Sequence, residues 1–356
     1  MDRATVDVYE QRAQEWSAKR SPTQRARAVG LAARAVPGLP IADLGCGPGH
    51  YLDDLGPAVV ALDAARGMLA LAAGRTGGSA AGLVQADLEA LPLRDRSLGG
   101  AWASSSYLHV PRSRLPLALA GLHLAMAVGA PLALSVVPGG GDGPWPGDDF
   151  PGRTFAGWAP AALARVLVGG GFDVQDVSVD AGRVWATARR ARTLPDTVTG
   201  DLRVLVCGLN PSVYSADAGY AFARPGNRFW PAAVASGLVT CARDPLGCAR
   251  HDKVGLTDMV KRATPAAAAL TADEYRAGAQ RVRELAAWLR PGLVLFVGLA
   301  GWRAAVDRRA VPGLQPGRFG GVPAYVMPST SGLNASSRPA DLVAHMRAAL
   351  AVAPPA

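Results

Sequence analysis

Six short apolar runs recur along the chain: Pro40 to Leu44, Ala58 to Leu62, Pro131 to Val137, Leu202 to Gly208, Leu293 to Gly298 and Pro323 to Met327. Ala-rich amphipathic stretches lie between them. A strand that is apolar along its whole length must be covered on both faces, and helices between successive strands supply the cover. The alternation predicts α/β layers on largely parallel sheets. At 356 residues the chain has room for two cores. Ala191 to Gly200, ARTLPDTVTG, is a polar stretch with Pro and Gly between two apolar strands. It predicts one domain over 1–192, a linker over 193–200 and a second domain over 201–356. Residues 138–152, rich in Gly, Pro and Asp, predict an irregular lid or insertion in the first domain.

Composition removes several classes of function. An apolar fraction of 49% with 18% charged residues excludes a disordered chain. The opening MDRATVDVYEQRAQEW carries charges where a signal peptide needs an apolar stretch, and no uncharged apolar run approaches membrane-spanning length. A cytoplasmic protein with no membrane partner is expected. Cys46, Cys207, Cys241 and Cys248 show no C-x-x-C spacing, which argues against a disulfide framework and a zinc site. No metal is expected. The formal charge of +9 is uneven: 19 basic against 17 acidic residues up to position 195, then 18 against 11. The basic excess in the second half suits a polyanionic partner such as nucleic acid.

In the first half, IADLGCGPGHY (41–51) runs an apolar strand into Gly45, Gly47 and Gly49, where the backbone can turn sharply and approach a ligand. Asp63 closes the next strand, where a carboxylate can accept from both hydroxyls of a ribose. Asp87 follows in VQADLEALPL. The G-x-G-x-G order differs from the dinucleotide G-x-G-x-x-G and disfavours NAD. Over residues 5–190 this set resembles class I S-adenosylmethionine-dependent methyltransferases. The resemblance implies S-adenosylmethionine as cofactor. Asp43 with Gly45, Gly47 and Gly49 would then line its methionine end, Asp63 would hold the ribose, Asp87 and Leu88 would flank the adenine, and Tyr9 would close over it. No Asn-Pro-Pro-Tyr-like box is present, and His109 is a candidate base for a small-molecule acceptor.

In the second half, LRVLVCG delivers Gly208, Leu209, Asn210, Pro211 and Ser212 at its carboxyl end, where open α/β sheets hold ligands. GYAFARPGNRFW (219–230) and VMPSTSGLNASSR (326–338) follow. In order, the three segments resemble the mismatch-specific uracil/thymine-DNA glycosylases over about 201–350. The resemblance implies a three-layer α/β/α domain that flips a pyrimidine out of duplex DNA and cleaves its N-glycosidic bond without a cofactor. Asn210 would orient the attacking water. Phe222 would stack on the base, Ser212 would contribute to reading its edge, and Ser215 would line the pocket near pyrimidine C5. Ser329 and Ser331 would bind phosphates in the loop formed with Gly332 and Asn334, and Leu333 would fill the gap in the stack. Ala335 stands where bacterial members often carry Arg, and Arg338 is displaced from that place. Asn210 and Met327 occupy the positions that hold an acidic residue and a His in the uracil-only enzymes, which points to the mismatch type.

The expected molecule is a Rossmann-like methyltransferase sheet followed by a base-excision domain acting on mismatched or damaged duplex DNA. The rival expectation is a methyltransferase of a small molecule or nucleic acid whose second domain only binds nucleic acid.

Overall fold

The computed structural model describes residues 1–75 and 82–353. They form two units, Met1–Val168 with Phe172–Ala191, and Gly169–Gly171 with Arg192–Ala356. The first is built on β1 (Ile41–Leu44), β2 (Val59–Asp63), β3 (Gly82–Gln85), β4 (Gly100–Ala103) and β5 (Pro131–Val136). Next come a short ribbon of β6 (Asp142–Gly143) with β7 (Phe155–Ala156) and a long hairpin of β8 (Phe172–Asp180) with β9 (Arg183–Arg190). The main sheet runs β3-β2-β1-β4-β5-β9-β8, parallel except where β9 meets β5 and β8. The chain steps outward from β1 to β3 and returns to β4 on the opposite side of β1. That reversal opens a crevice beyond the carboxyl ends of β1 and β4. Val184 of β9 pairs with Val136 at the end of β5, so the hairpin brings Arg183 to the same edge of the sheet.

Residues 138–152 are more ordered than their composition predicts. They contain β6, and Phe150 is buried with the Arg12 guanidinium 4.3 Å above its ring. One aromatic anchor and the Arg153–Asp148 ion pair hold a segment otherwise made of turn residues.

The second sheet runs β11-β10-β12-β14-β13, from β10 (Val204–Gly208), β11 (Val254–Asp258), β12 (Leu293–Val297), β13 (Gly313–Phe319) and β14 (Val322–Met327). Only β13 is antiparallel to its neighbour. Alternation along β10 explains why a wholly apolar run was needed. Val204 and Val206 pack with Phe229, Trp230 and Met346 on one face, while Leu205 and Cys207 pack with Val282, Ala286 and Leu289 on the other. Helix Ala272–Leu289 supplies that second face and starts in a Thr271/Glu274 capping box.

The segment 193–200 is a correction to the expected linker. Thr193, Leu194, Asp196, Thr197, Val198 and Thr199 are buried, and Thr197 bridges to Leu256 of β11. The carboxylate that suggested solvent is bound instead: Asp196 meets Lys261 at 2.9 Å and Arg281 at 2.6 Å. Among the described residues no helix is long and apolar enough to cross a membrane.

Candidate active sites

The crevice of the first unit is a cavity of about 470 Å³. Asp43, Gly45, Gly47, Asp63, Leu88 and Tyr9 all line it. Gly45 lies at φ +71°, and a Cβ there would overlap the Ser106 side chain, so the turn needs glycine for both conformation and space. Asp63 accepts from the backbone N–H of Gly47 (2.8 Å) and of Ala65 (2.9 Å), which fixes its carboxylate at the rim of β2. Asp43 is 2% exposed, and its Oδ2 has no partner. Burial, and then the charge of Asp63, push its pKa up to about 8. A buried carboxyl with a free oxygen facing a cavity suits a ligand that brings a hydrogen-bond donor or positive charge.

Two expected residues stand elsewhere. Gly49 packs toward Leu52 and Ala72, and the Asp87 carboxylate accepts from the N-terminal ammonium of Met1 at 2.5 Å and from the Glu89 amide. Neither lines the cavity.

Tyr9 and His109 meet at 2.8 Å, between the Tyr9 hydroxyl and Nε2. His109 Nδ1 lies 2.7 Å from the Thr154 carbonyl, which can only accept, so Nδ1 carries the proton and Nε2 accepts from Tyr9. Arg153 in turn donates to the Tyr9 oxygen at 2.7 Å. Burial pushes the His109 pKa down to about 4 and that of Tyr9 up to about 12, so both are neutral near pH 7.

In the second unit the carboxyl ends of β10, β11, β12 and β14 share one edge, and the strand order reverses between β10 and β12. Asn210 projects from the end of β10. Its Nδ2 donates to Thr264 Oγ1 (2.8 Å), the Arg262 carbonyl (3.0 Å) and the Pro211 carbonyl (3.1 Å). With the amide nitrogen surrounded by acceptors, Oδ1 is the group left to accept from a ligand or water. Ser212 caps the helix Val213–Ala218 by accepting from the Ser215 amide, and its hydroxyl donates to Ser215 Oγ at 3.0 Å. Ser215 Oγ also accepts from the Ala223 amide, tying this helix to the aromatic segment. Phe222 stacks on Phe229 with centroids 4.0 Å apart and has φ +58°, which is unusual for a bulky residue. Phe229 and Trp230 are core residues, and Asn227 accepts from the Phe229 amide at the start of their helix.

The third segment forms a loop whose tip is Leu333, 90% exposed. Ser329 and Ser331 lie on it, their hydroxyls accepting from the amides of Ser331 and Leu333. Gly332 packs against the Gly226 backbone. The Asn334 side chain organises the loop from within, donating to the Ser329 carbonyl (2.8 Å) and accepting from Ser336. Arg338 is paired with Asp341 at 3.1 Å.

Two side chains of this site were not anticipated from the sequence. Arg228 donates to the carbonyls of Ser337 (2.6 Å), Asn334 (2.7 Å) and Ser331 (2.9 Å), and so straps the loop to the aromatic segment. Asp258, at the end of β11, is aligned with Gly208 by register. A Cβ on Gly208 would overlap the Asp258 carboxylate and touch the Phe222 ring at 3.5 Å, so Gly208 lets the two approach. Burial pushes the Asp258 pKa up to about 6, although Lys261 pulls it down.

Comparison with known proteins agrees with the division of the chain. Residues 195–351 match the family model of the uracil DNA glycosylase superfamily, and residues 41–129 match that of a methyltransferase domain. Both are enzyme families. Among solved structures, DhpI in complex with SAH is 25% identical over 53% of this chain and 96% of its own, with a TM-score of 0.43. An S-adenosylmethionine-dependent methyltransferase from Mesorhizobium loti is 20% identical over 46% and 96%, at 0.39. The 1,6-didemethyltoxoflavin-N1-methyltransferase of Burkholderia thailandensis, with S-adenosylhomocysteine bound, is 22% identical over 52% and 85%, at 0.40.

Proposed function

We propose that the second unit is a mismatch-type base-excision enzyme that flips uracil, thymine or a damaged pyrimidine out of duplex DNA and hydrolyses its glycosidic bond. The observation that carries this reading is the Asn210 side chain at the end of β10, whose nitrogen is held by three acceptors, which leaves its carbonyl oxygen as the group able to take a water. Water hydrogen-bonded to Oδ1 bonds through its oxygen to the sugar C1′, the C1′–N1 electron pair leaves with the base, and the water's extra proton passes to the freed base. An amide is too weak a base to remove that proton early, so the rate depends on positioning and on the departing anion. Phe222, already backed by Phe229, supplies the face on which the flipped base stacks. Ser212 and Ser215 shape the pocket beside it, Ser329 and Ser331 take flanking phosphates, and Leu333 enters the vacated stack.

Cleavage of a uracil-containing duplex followed by alkali tests this against Asn210→Ala. The wild type cuts G·U duplex and single-stranded uracil substrates, and the variant loses roughly a hundredfold or more, the order expected when one preorganised transition-state contact is removed. Intact substrate with stoichiometric wild-type protein would sink the proposal.

For the first unit we infer S-adenosylmethionine-dependent methyl transfer. The residues fit that cofactor: Asp43 has a buried unpaired oxygen for a cationic amino-acid end, Asp63 is held by backbone N–H groups to accept from a diol, and the Gly45 turn leaves room against Ser106. When bound, the cofactor supplies an activated methyl group on a sulfonium. Tyr9, hydrogen-bonded to both His109 and Arg153, closes that end of the cavity and keeps water out. Calorimetry should detect cofactor binding by the wild type, with Asp63→Ala weakening it by about tenfold or more through loss of two charge-assisted hydrogen bonds. Absence of binding by the wild type refutes the reading.

A further inference from the structure

The methyl acceptor has left a trace in the charges of the cavity. Three guanidinium groups line it, those of Arg20, Arg153 and Arg183. Arg20 is paired with Asp149 at 2.5 Å, and Arg153 is paired with Asp148 and donates to Tyr9. Arg183 differs. It reaches Ser105 Oγ at 3.4 Å and the Gly182 carbonyl at 3.2 Å, and among the described residues it meets no carboxylate. A half-buried guanidinium without an anion is a costly arrangement unless something completes it. Burial, reinforced by the like charge of Arg20, holds its pKa below the usual arginine range, in the direction an arriving anion would reverse.

Its place in the fold says which ligand it serves. Asp63 and Asp43 mark the cofactor end, over β2 and β1, whereas Arg183 opens β9, which lies beyond β4 and β5. Three inter-strand spacings separate β1 from β9, roughly 14 Å along the sheet edge. That is too far for a group holding the ribose side of the cofactor. Ser105, His109, Trp185 and Arg183 line the cavity, and Arg153 lies over the Tyr9 ring and donates to its hydroxyl. The space is a recessed cavity of about 470 Å³, a size that suits a small molecule.

We propose that the acceptor is a small molecule bearing a carboxylate or phosphate-like anion, and that Arg183 is the residue that binds this anion. The proposal rests on the methyltransferase reading of the first unit. An anion there would accept the forked N–H pair of Arg183 and leave the opposite end of the acceptor pointing toward the methyl group, over β1 and β4. Recognition of this kind sets specificity: a neutral analogue would leave the guanidinium desolvated and unpaired.

The full-length protein, saturated with S-adenosylhomocysteine, is titrated by calorimetry with benzoate, phenylphosphonate and the neutral benzamide. Either anion should bind at least about tenfold more tightly than benzamide, as expected of one charge-assisted pair. Arg183→Gln should abolish that preference and Arg183→Lys should keep part of it, with S-adenosylhomocysteine affinity equal in all three proteins. Equal binding of benzamide and benzoate by the wild type overturns the proposal, as does a preference that survives Arg183→Gln. Loss of S-adenosylhomocysteine affinity in Arg183→Gln also overturns it, since Arg183 would then hold the cofactor's own carboxylate. So does displacement of benzoate by a single-stranded DNA oligonucleotide, which would make the anion a nucleic-acid phosphate. A wild type that binds no S-adenosylhomocysteine sinks the methyltransferase reading itself, an outcome distinct from all of these.

Discussion

Asp258 stands beside Phe222 with its carboxyl pKa raised to about 6, so its charge changes within the working range of the protein. Neutral, it can donate a hydrogen bond to a departing pyrimidine anion; ionised, it repels that anion. Excision is therefore expected to quicken as pH falls from 8 through about 6, and Asp258→Asn should flatten the profile and be the faster enzyme at pH 8. A single-turnover series that is unchanged by the substitution removes Asp258 from the reaction. The same shift has a stability consequence of opposite emphasis to the usual aspartate. The folded protein favours the protonated acid, so this contribution is fully present below pH 4 and is lost as pH rises through about 6. A rise of that size corresponds to roughly 3 kcal/mol. Asp258→Asn should accordingly raise the denaturation midpoint at pH 7.5 and leave it unchanged at pH 4. Asn210 was legible in the sequence because it follows an apolar strand directly. Asp258 was not, because its importance comes from the β10–β11 register and not from any spacing along the chain.

Among the elements, the loop over 329–337 has the clearest mechanical logic. Arg228 fastens it at three carbonyls, and Leu333 projects from its tip into solvent. Filling a gap in stacked DNA offsets an unstacking cost of a few kcal/mol, so Leu333→Ala should slow excision from duplex by about tenfold or more while sparing single-stranded substrate. Equal losses on both substrates would count against a wedge. Arg228→Met keeps the apolar stem and removes the donors; duplex excision should fall in parallel with Leu333→Ala, and hydrogen exchange over 331–337 should accelerate. Unchanged exchange would mean that the strap is dispensable. Strands flanked by glycine turns could be read in advance, since a uniform apolar run has few other uses. β11 escaped notice because VGLTD carries a glycine and two polar residues, and its burial depends on Thr197 and Leu202 covering it. The 193–200 segment misled for a related reason: its one carboxylate, Asp196, is satisfied internally by residues more than fifty positions away.

For the whole molecule, the two proposed sites lie in separate units and share no residue, so their substitutions should separate cleanly. Asp63→Ala is expected to weaken cofactor binding without altering excision, and Asn210→Ala to do the reverse; cross-effects in either direction would reveal coupling. Asp196, buried between Lys261 and Arg281, anchors the stretch that carries the Arg262 carbonyl and Thr264. Asp196→Ala leaves both cations unpaired and should destabilise the second unit by about 3–5 kcal/mol, with S-adenosylmethionine binding by the first unit retained. Loss of both functions together would show that the units do not fold independently. The two-unit plan was readable from the apolar runs and glycine turns, whereas the strap and the buried ion pairs were not, since each joins residues remote in sequence. The strap carries one more implication. Because Arg228 grips main-chain oxygens, it is indifferent to which side chains the loop displays. The exposed positions 333 and 335 can therefore be rewritten by mutation, in nature or in a selection library, while the scaffold beneath keeps its shape, so the loop is where the proposed DNA site can acquire new tastes most readily.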